Sequence, residues 1–163
     1  DYCRHHNIQL LAAAPLSMGL LTNQGPPEWH PASSGLKEAC RKAAAICRER
    51  SVDIATLALV VAFATPRIPC TILGLKDVQQ VRTVQTIAQR FRNVSATDPN
   101  EILNAVLENN EREAWMILKD VDRGPFADVW KSGAFRWDGV QEARSFWREL
   151  GQAVDEWQAP LPE

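Results

Sequence analysis

Three kinds of side-chain cluster in this chain could do chemistry. The first is metal ligation or redox work by thiols and imidazoles. Cys3, His5 and His6 stand together near the start, but the spacing C-x-H-H lacks the two ligand pairs that a tetrahedral structural zinc site draws from two segments. No metal site is assigned, and the three residues are read as a solvated helix end. Cys40 and Cys47 fall two turns apart on one predicted helix and are read as small core residues rather than redox partners. With Cys3 and Cys70 they make four cysteines without a CxxC pair, which suits reduced thiols.

The second is anion binding by backbone. Ala14, Pro15, Leu16 and Gly19 follow an apolar run, and small residues with exposed N–H groups let a phosphate approach closely. Gly74, Leu75, Lys76, Gln80 and Thr83 follow a second apolar run and lead into a helix, whose amino end attracts anions. Each group also has a plainer reading, as a strand-to-loop turn and as the solvated face of a helix. The third is a wall for a ligand. The stretch LLTNQGPPEWHPASSG, Leu20 to Gly35, sets Trp29 and His30 among three prolines, a stiff aromatic loop of the sort that rims a site.

The elements that must position these residues are legible as well. Asp1 to His6 reads as the end of a helix, with Asn7 as a left-handed cap. IQLLAAAP is too short for a helix and too apolar for a half-exposed strand, so it predicts a parallel strand buried on both faces. From Leu36 to about Arg50, apolar residues recur at three-to-four spacing, and an amphipathic helix is predicted. Asp53 caps a second helix, IATLALVVAFAT, closed by Pro66. IPCTILG, Ile68 to Gly74, predicts a second buried strand. Asp77 then caps a helix whose face is Val78, Val81, Val84, Ile87, Ala88 and Phe91. Strand, long loop, helices, strand, short loop, helix is the grammar of parallel βα units.

Beyond about Asn93 the grammar changes. Thr97 or Asp98 is expected to cap a helix that has Pro99 in its first turn and runs to about Leu118. Farther on, Val140, Ala143, Trp147, Leu150, Val154 and Trp157 form a narrow three-and-four-spaced seam suited to another apolar surface. Five of the six tryptophans lie between Trp115 and Trp157, as docking anchors. Two regions are therefore expected: 1–93 as βα units and 94–163 as a helical, tryptophan-rich tail.

At APLSMGLLTNQGPPEWHPAS and again at IPCTILGLKDVQQV the chain resembles the aldo-keto reductases, and within them the L-galactose dehydrogenase type. A weaker echo is Trp130-Lys131-Ser132-Gly133, where such enzymes carry WPSG. The resemblance implies the C-terminal fragment of an eight-stranded β/α (TIM) barrel, supplying the seventh and eighth strands, their helices and a tail. It implies an NAD(P)-dependent oxidation of an aldose at C1, with a sugar or aldehyde as the small-molecule substrate. It places Ala14, Pro15, Leu16, Gly19, Gly74, Leu75, Lys76, Gln80 and Thr83 against the cofactor, and Trp29 and His30 at the substrate rim. Ala14 stands where the family has serine, and the family's Glu-Asn pair after Gln80 is absent. The family's catalytic tyrosine, aspartate, lysine and histidine come from earlier strands, so no catalytic residue is expected here; Tyr2 precedes the seventh strand and is not that acid.

The 163-residue chain is 45% apolar and 23% charged, with a net charge of -2. That balance offers neither a nucleic acid nor an anionic membrane a clustered basic surface. Its longest apolar run is about half the roughly 20 residues a membrane-spanning helix needs. A cytoplasmic protein is expected, and the opening without methionine suggests the end of something longer, whose N-terminal barrel portion is the missing partner. On this reading the fragment alone is inactive, and NAD is favoured over NADP because Gln80 is a neutral amide. A second hypothesis is a truncated paralogue that has lost catalysis and serves as a binding or interaction module through its tail.

Overall fold

The computed structural model describes residues 2–65, 68–120 and 123–125. Helix α1 (Tyr2–His5) ends where Asn7 takes a left-handed φ of 56°, the expected cap. Strand β1 (Leu11–Ala13) leads through a 3-10 turn (Ser17–Gly19) and the proline loop to helix α2 (Ser34–Glu49) and helix α3 (Ile54–Phe63). Strand β2 (Cys70–Ile72), helix α4 (Val78–Arg90), helix α5 (Pro99–Val106) and helix α6 (Asn109–Leu118) follow. The two strands pair in parallel, with Leu11 opposite Cys70, Ala12 opposite Thr71 and Ala13 opposite Ile72.

Helix starts obey local chemistry. The Ser33 hydroxyl accepts from the Leu36 N–H at 3.2 Å, Asp53 from Thr56 at 3.0 Å and Asp77 from Gln80 at 2.8 Å. Asp98, not Thr97, caps α5, accepting from the Asn100 and Glu101 N–H groups. Each satisfies donors that a helix amino end leaves orphaned.

The core is helical. Ala43 and Cys47 of α2, Leu57 and Val60 of α3, Ile87 of α4, Leu103 and Val106 of α5 and Ala114 of α6 share one buried cluster. Of the face expected on α4, Ile87 is buried and Val84 and Phe91 pack on the cluster, whereas Val78 and Val81 are exposed and so is Ala88.

Two expectations are corrected. The strands are not buried on both faces: Leu11 is 57% and Ile72 is 54% exposed, while Ala12 and Thr71 between their neighbours are half-buried. Alternate side chains point to opposite faces, so the helices of the described residues cover one face only. Nor does one helix run from Pro99 to Leu118. Leu107 turns extended, at φ -72° and ψ 132°, and Glu108 with Glu111 forms a capping box that starts α6. The break is held from outside. Arg90 on α4 donates to both oxygens of buried Glu111, at 3.0 and 2.7 Å, and pairs with Glu108 at 3.0 Å. Arg112 covers the freed carbonyls of Asn104 and Leu107.

Among the described residues no helix is long and apolar enough to cross a membrane. The tail seam from Val140 to Trp157 and the Trp130-Lys131-Ser132-Gly133 echo lie outside the described residues.

Candidate cofactor and substrate site

Because β1 and β2 run parallel with Ala13 opposite Ile72, the segments that leave them emerge at the same end of the strand pair. One begins at Ala14 and the other at Leu73, so the two expected cofactor segments start out from the same end of the strand pair. In open and closed α/β folds alike, this carboxyl end is where ligands bind.

The first segment is strained. Ala14, Ser17 and Met18 have φ of 51°, 48° and 50°, a left-handed region that residues with a Cβ enter at a cost of about 1–3 kcal/mol each. The turn closes on itself through the Ser17 N–H to the Ala14 carbonyl at 2.8 Å and the Gly19 N–H to the Leu16 carbonyl at 3.1 Å. Gly19, at φ 100°, is required as glycine, since a Cβ there would lie 3.0 Å from the Gly25 carbonyl oxygen. The proline loop thus folds back directly onto the turn.

His30 fastens that fold-back. The residue is only 4% exposed. The Ala32 N–H donates to Nδ1 at 3.1 Å, which makes Nε2 the protonated nitrogen, and Nε2 sits 3.1 Å from the Ser17 carbonyl oxygen that it donates to. Desolvation by burial holds the imidazole below its usual value, against the opposing Ser17 hydrogen bond, and the Lys37 charge lowers it further. Trp29 is half-buried with its ring stacked 6.4 Å from that of His30. The base of the loop is pinned by Asn23, which donates to Asp53 at 2.7 Å, so the α3 cap also anchors the loop. Between the loop and α2 lies a cleft of about 450 Å³ lined by Pro26, Pro27, Glu28, Lys37, Arg41 and Arg48, a grouping that only the folded loop creates.

The second segment is open. A Cβ built on Gly74 would meet nothing within 4 Å, so no neighbour in this chain requires glycine there, and Leu75 and Lys76 are exposed. Among the described residues the Gly74 and Leu75 N–H groups have no acceptor. The Gln80 side-chain oxygen accepts from the Lys76 N–H at 2.9 Å, which orders the approach to α4. Thr83 donates to the Gln79 carbonyl at 3.0 Å. Room for a ligand and unpaired backbone donors fit a dinucleotide phosphate on this side.

Of the remaining clusters, Tyr2, His5 and His6 are exposed at the end of α1, and Cys40 and Cys47 lie in the core. Tyr2 and His6 lie with ring centroids 4.2 Å apart. Cys40 and Cys47 are buried, and burial pushes both thiols up to about 11. Sequence reasoning missed the left-handed turn and the role of His30 in holding it. The doublet of Gly19 and Gly25 was the one available signal.

The profile of the Aldo/keto reductase family matches residues 1–110. L-galactose dehydrogenase of Arabidopsis thaliana is 44% identical over 80 residues, covering 49% of this chain and 25% of that protein. D-arabinose 1-dehydrogenase of Saccharomyces cerevisiae is 28% identical over 127 residues, covering 74% of this chain and 34% of that protein. The chain spans about a quarter to a third of the length of these curated relatives. With the family match running from residue 1 to residue 110 of 163, the chain belongs to the aldo/keto reductase family.

Proposed function

We propose that this chain is the cofactor-cradling, C-terminal part of a cytosolic NAD(P)-dependent sugar dehydrogenase that oxidises an aldose at C1. In that reading residues 1–93 supply the last two βα units of an eight-stranded barrel and residues 94–163 a helical tail. The acid-base chemistry resides in the rest of the barrel, and the chain alone is inactive. The observation that supports the proposal is the parallel register, by which the Ala14–Gly19 turn and the open Gly74–Gln80 approach start out from the same end of the strand pair. The identity to a named sugar dehydrogenase supports the substrate class.

The division of labour follows from the chemistry of each group. When bound, the nicotinamide supplies the hydride acceptor. Backbone around Ala14, Pro15, Leu16 and Gly19 would hold the pyrophosphate, and the Gly74 and Leu75 N–H groups would offset its negative charge. Lys76 offers a point charge, and the amide of Gln80 a hydrogen bond to a ribose hydroxyl, with Thr83 farther along the same helix. Trp29 walls the sugar, while His30 works one layer behind it by holding the loop on the turn.

A chimaera in which this chain replaces the matching quarter of L-galactose dehydrogenase tests the proposal. Aldose-dependent reduction of NAD by the chimaera is expected. A folded chimaera that binds neither sugar nor nucleotide contradicts the reading. The same protein tests cofactor choice. NADP carries a 2′-phosphate best held by an arginine fork, and position 80 is a neutral amide. NAD should therefore be preferred by kcat/KM, and Gln80→Arg should move the preference toward NADP by about tenfold, as for one charge-assisted contact. A wild-type preference for NADP would show that position 80 does not read the ribose.

A further inference from the structure

Bordering the turn that leaves β1, with Pro15 in its lining, the structure has an apolar groove of about 600 Å³. Leu21 of the loop, Leu57 and Val61 of α3, and Trp115 and Leu118 of α6 line it, together with Lys119. Small-molecule sites combine an apolar lining with several convergent polar groups. Here Thr65 and Lys119 are the polar residues of the lining, so the groove suits an apolar side-chain row better than a metabolite.

We propose that the groove is the seat of this chain's own segment Val140–Trp157, docked as an amphipathic helix. Three observations favour that occupant. The groove's wall is α6, whose Trp115 and Leu118 immediately precede the last described residues, so the chain continues from the groove's rim. Residues 126–139 can span up to about 46–50 Å if extended, ample to turn back. Val140, Ala143, Trp147, Leu150, Val154 and Trp157 repeat at the three-and-four spacing by which a helix lays one face into an apolar groove. Docking within one chain also carries the advantage of a tether, which raises the local concentration of the segment to about the millimolar range. The exposed strand pair is a poorer seat, because it consists of two three-residue strands, whereas a narrow seam of large side chains is matched by a groove.

The test is photo-cross-linking of the full 163-residue chain with a short amine-reactive diazirine reagent, read by peptide mass spectrometry on an equal mixture of nitrogen-14 and nitrogen-15 chains. Cross-links from Lys119 into residues 140–157 are expected, within chains of a single isotope. Val61→Glu in the groove and, independently, Leu150→Asp in the tail should each lower their yield by about tenfold, since each sets a charge in an apolar contact. The tail substitution keeps the test sound where Val61→Glu perturbs α3. Mixed-isotope cross-links would assign the groove to a second copy. Tail cross-links from Lys76 instead would place the segment at the strand ends. Either result, or an absence of tail cross-links from Lys119, overturns the proposal.

Discussion

His30 spends both ring nitrogens on one task, joining the Ser17 carbonyl to the Ala32 N–H, and the left-handed turn at Ser17 and Met18 persists because it is held there. A protonated ring would lose the Nδ1 acceptor that Ala32 needs. Burial sets the folded imidazole below the usual 6.5, so between those two values the unfolded chain binds more protons than the folded one. The stability that follows is full above about pH 6.5 and is lost as pH falls through the lower folded value. Denaturant midpoints between about pH 5 and 7 should decline more steeply for wild type than for His30→Gln; parallel profiles would remove the imidazole from the account. His30→Ala should cost about 1–3 kcal/mol, as for a buried donor and acceptor left without partners. At this scale the sequence was only partly legible. Trp29 and His30 were visible as an aromatic pair in a stiff loop, but the inward role of His30 was not, because it depends on Ser17 lying beneath it. The strain at Ala14, Ser17 and Met18 was hidden for a related reason: residue type argues against positive φ at these positions, and only the folded loop overrides it.

Elements were read most reliably where a single residue decides the outcome. Asp53, Asp77 and Asp98 each accept from N–H groups two or three residues ahead, so the signal and its effect share one short window. The interruption between α5 and α6 escaped for the opposite reason. Its agent, Arg90, lies 21 residues before Glu111, outside any local window. The same distance explains its mechanical role, since the pair bolts α6 to α4. Glu111 is 4% exposed, and removing its cation would strand a carboxylate in the interior. Arg90→Ala should therefore destabilise the chain by about 3 kcal/mol, within the range for breaking a buried ion pair. The double variant Arg90→Met with Glu111→Leu should recover most of that loss, because paired apolar replacements leave no charge behind. Equal losses in the single and double variants would show that the helix break rests on something other than this pair.

For the whole molecule, parallel βα order was legible from two short apolar runs separated by helices, and the register then decides what the fold can do. It starts two chemically different segments out from the same end of the strand pair: a closed, strained turn and an open approach to a helix. The exposed face of the strands, with Leu11 and Ile72 at the surface, was not foreseen, because apolar composition records what a strand can bury and not what surrounds it. The central claim is that the open approach is shaped for a nucleotide rather than for the chain's own packing. Gly74 isolates that claim, since a Cβ there meets nothing within 4 Å and substitution should leave the fold alone. In the chimaera described above, the measurement is the NAD dissociation constant of Gly74→Val alongside its thermal unfolding. The account predicts a rise of about tenfold or more, the effect of a side chain standing where phosphate approaches backbone, with Tm moved by less than about 3 °C. An unchanged affinity for NAD at unchanged Tm would contradict it.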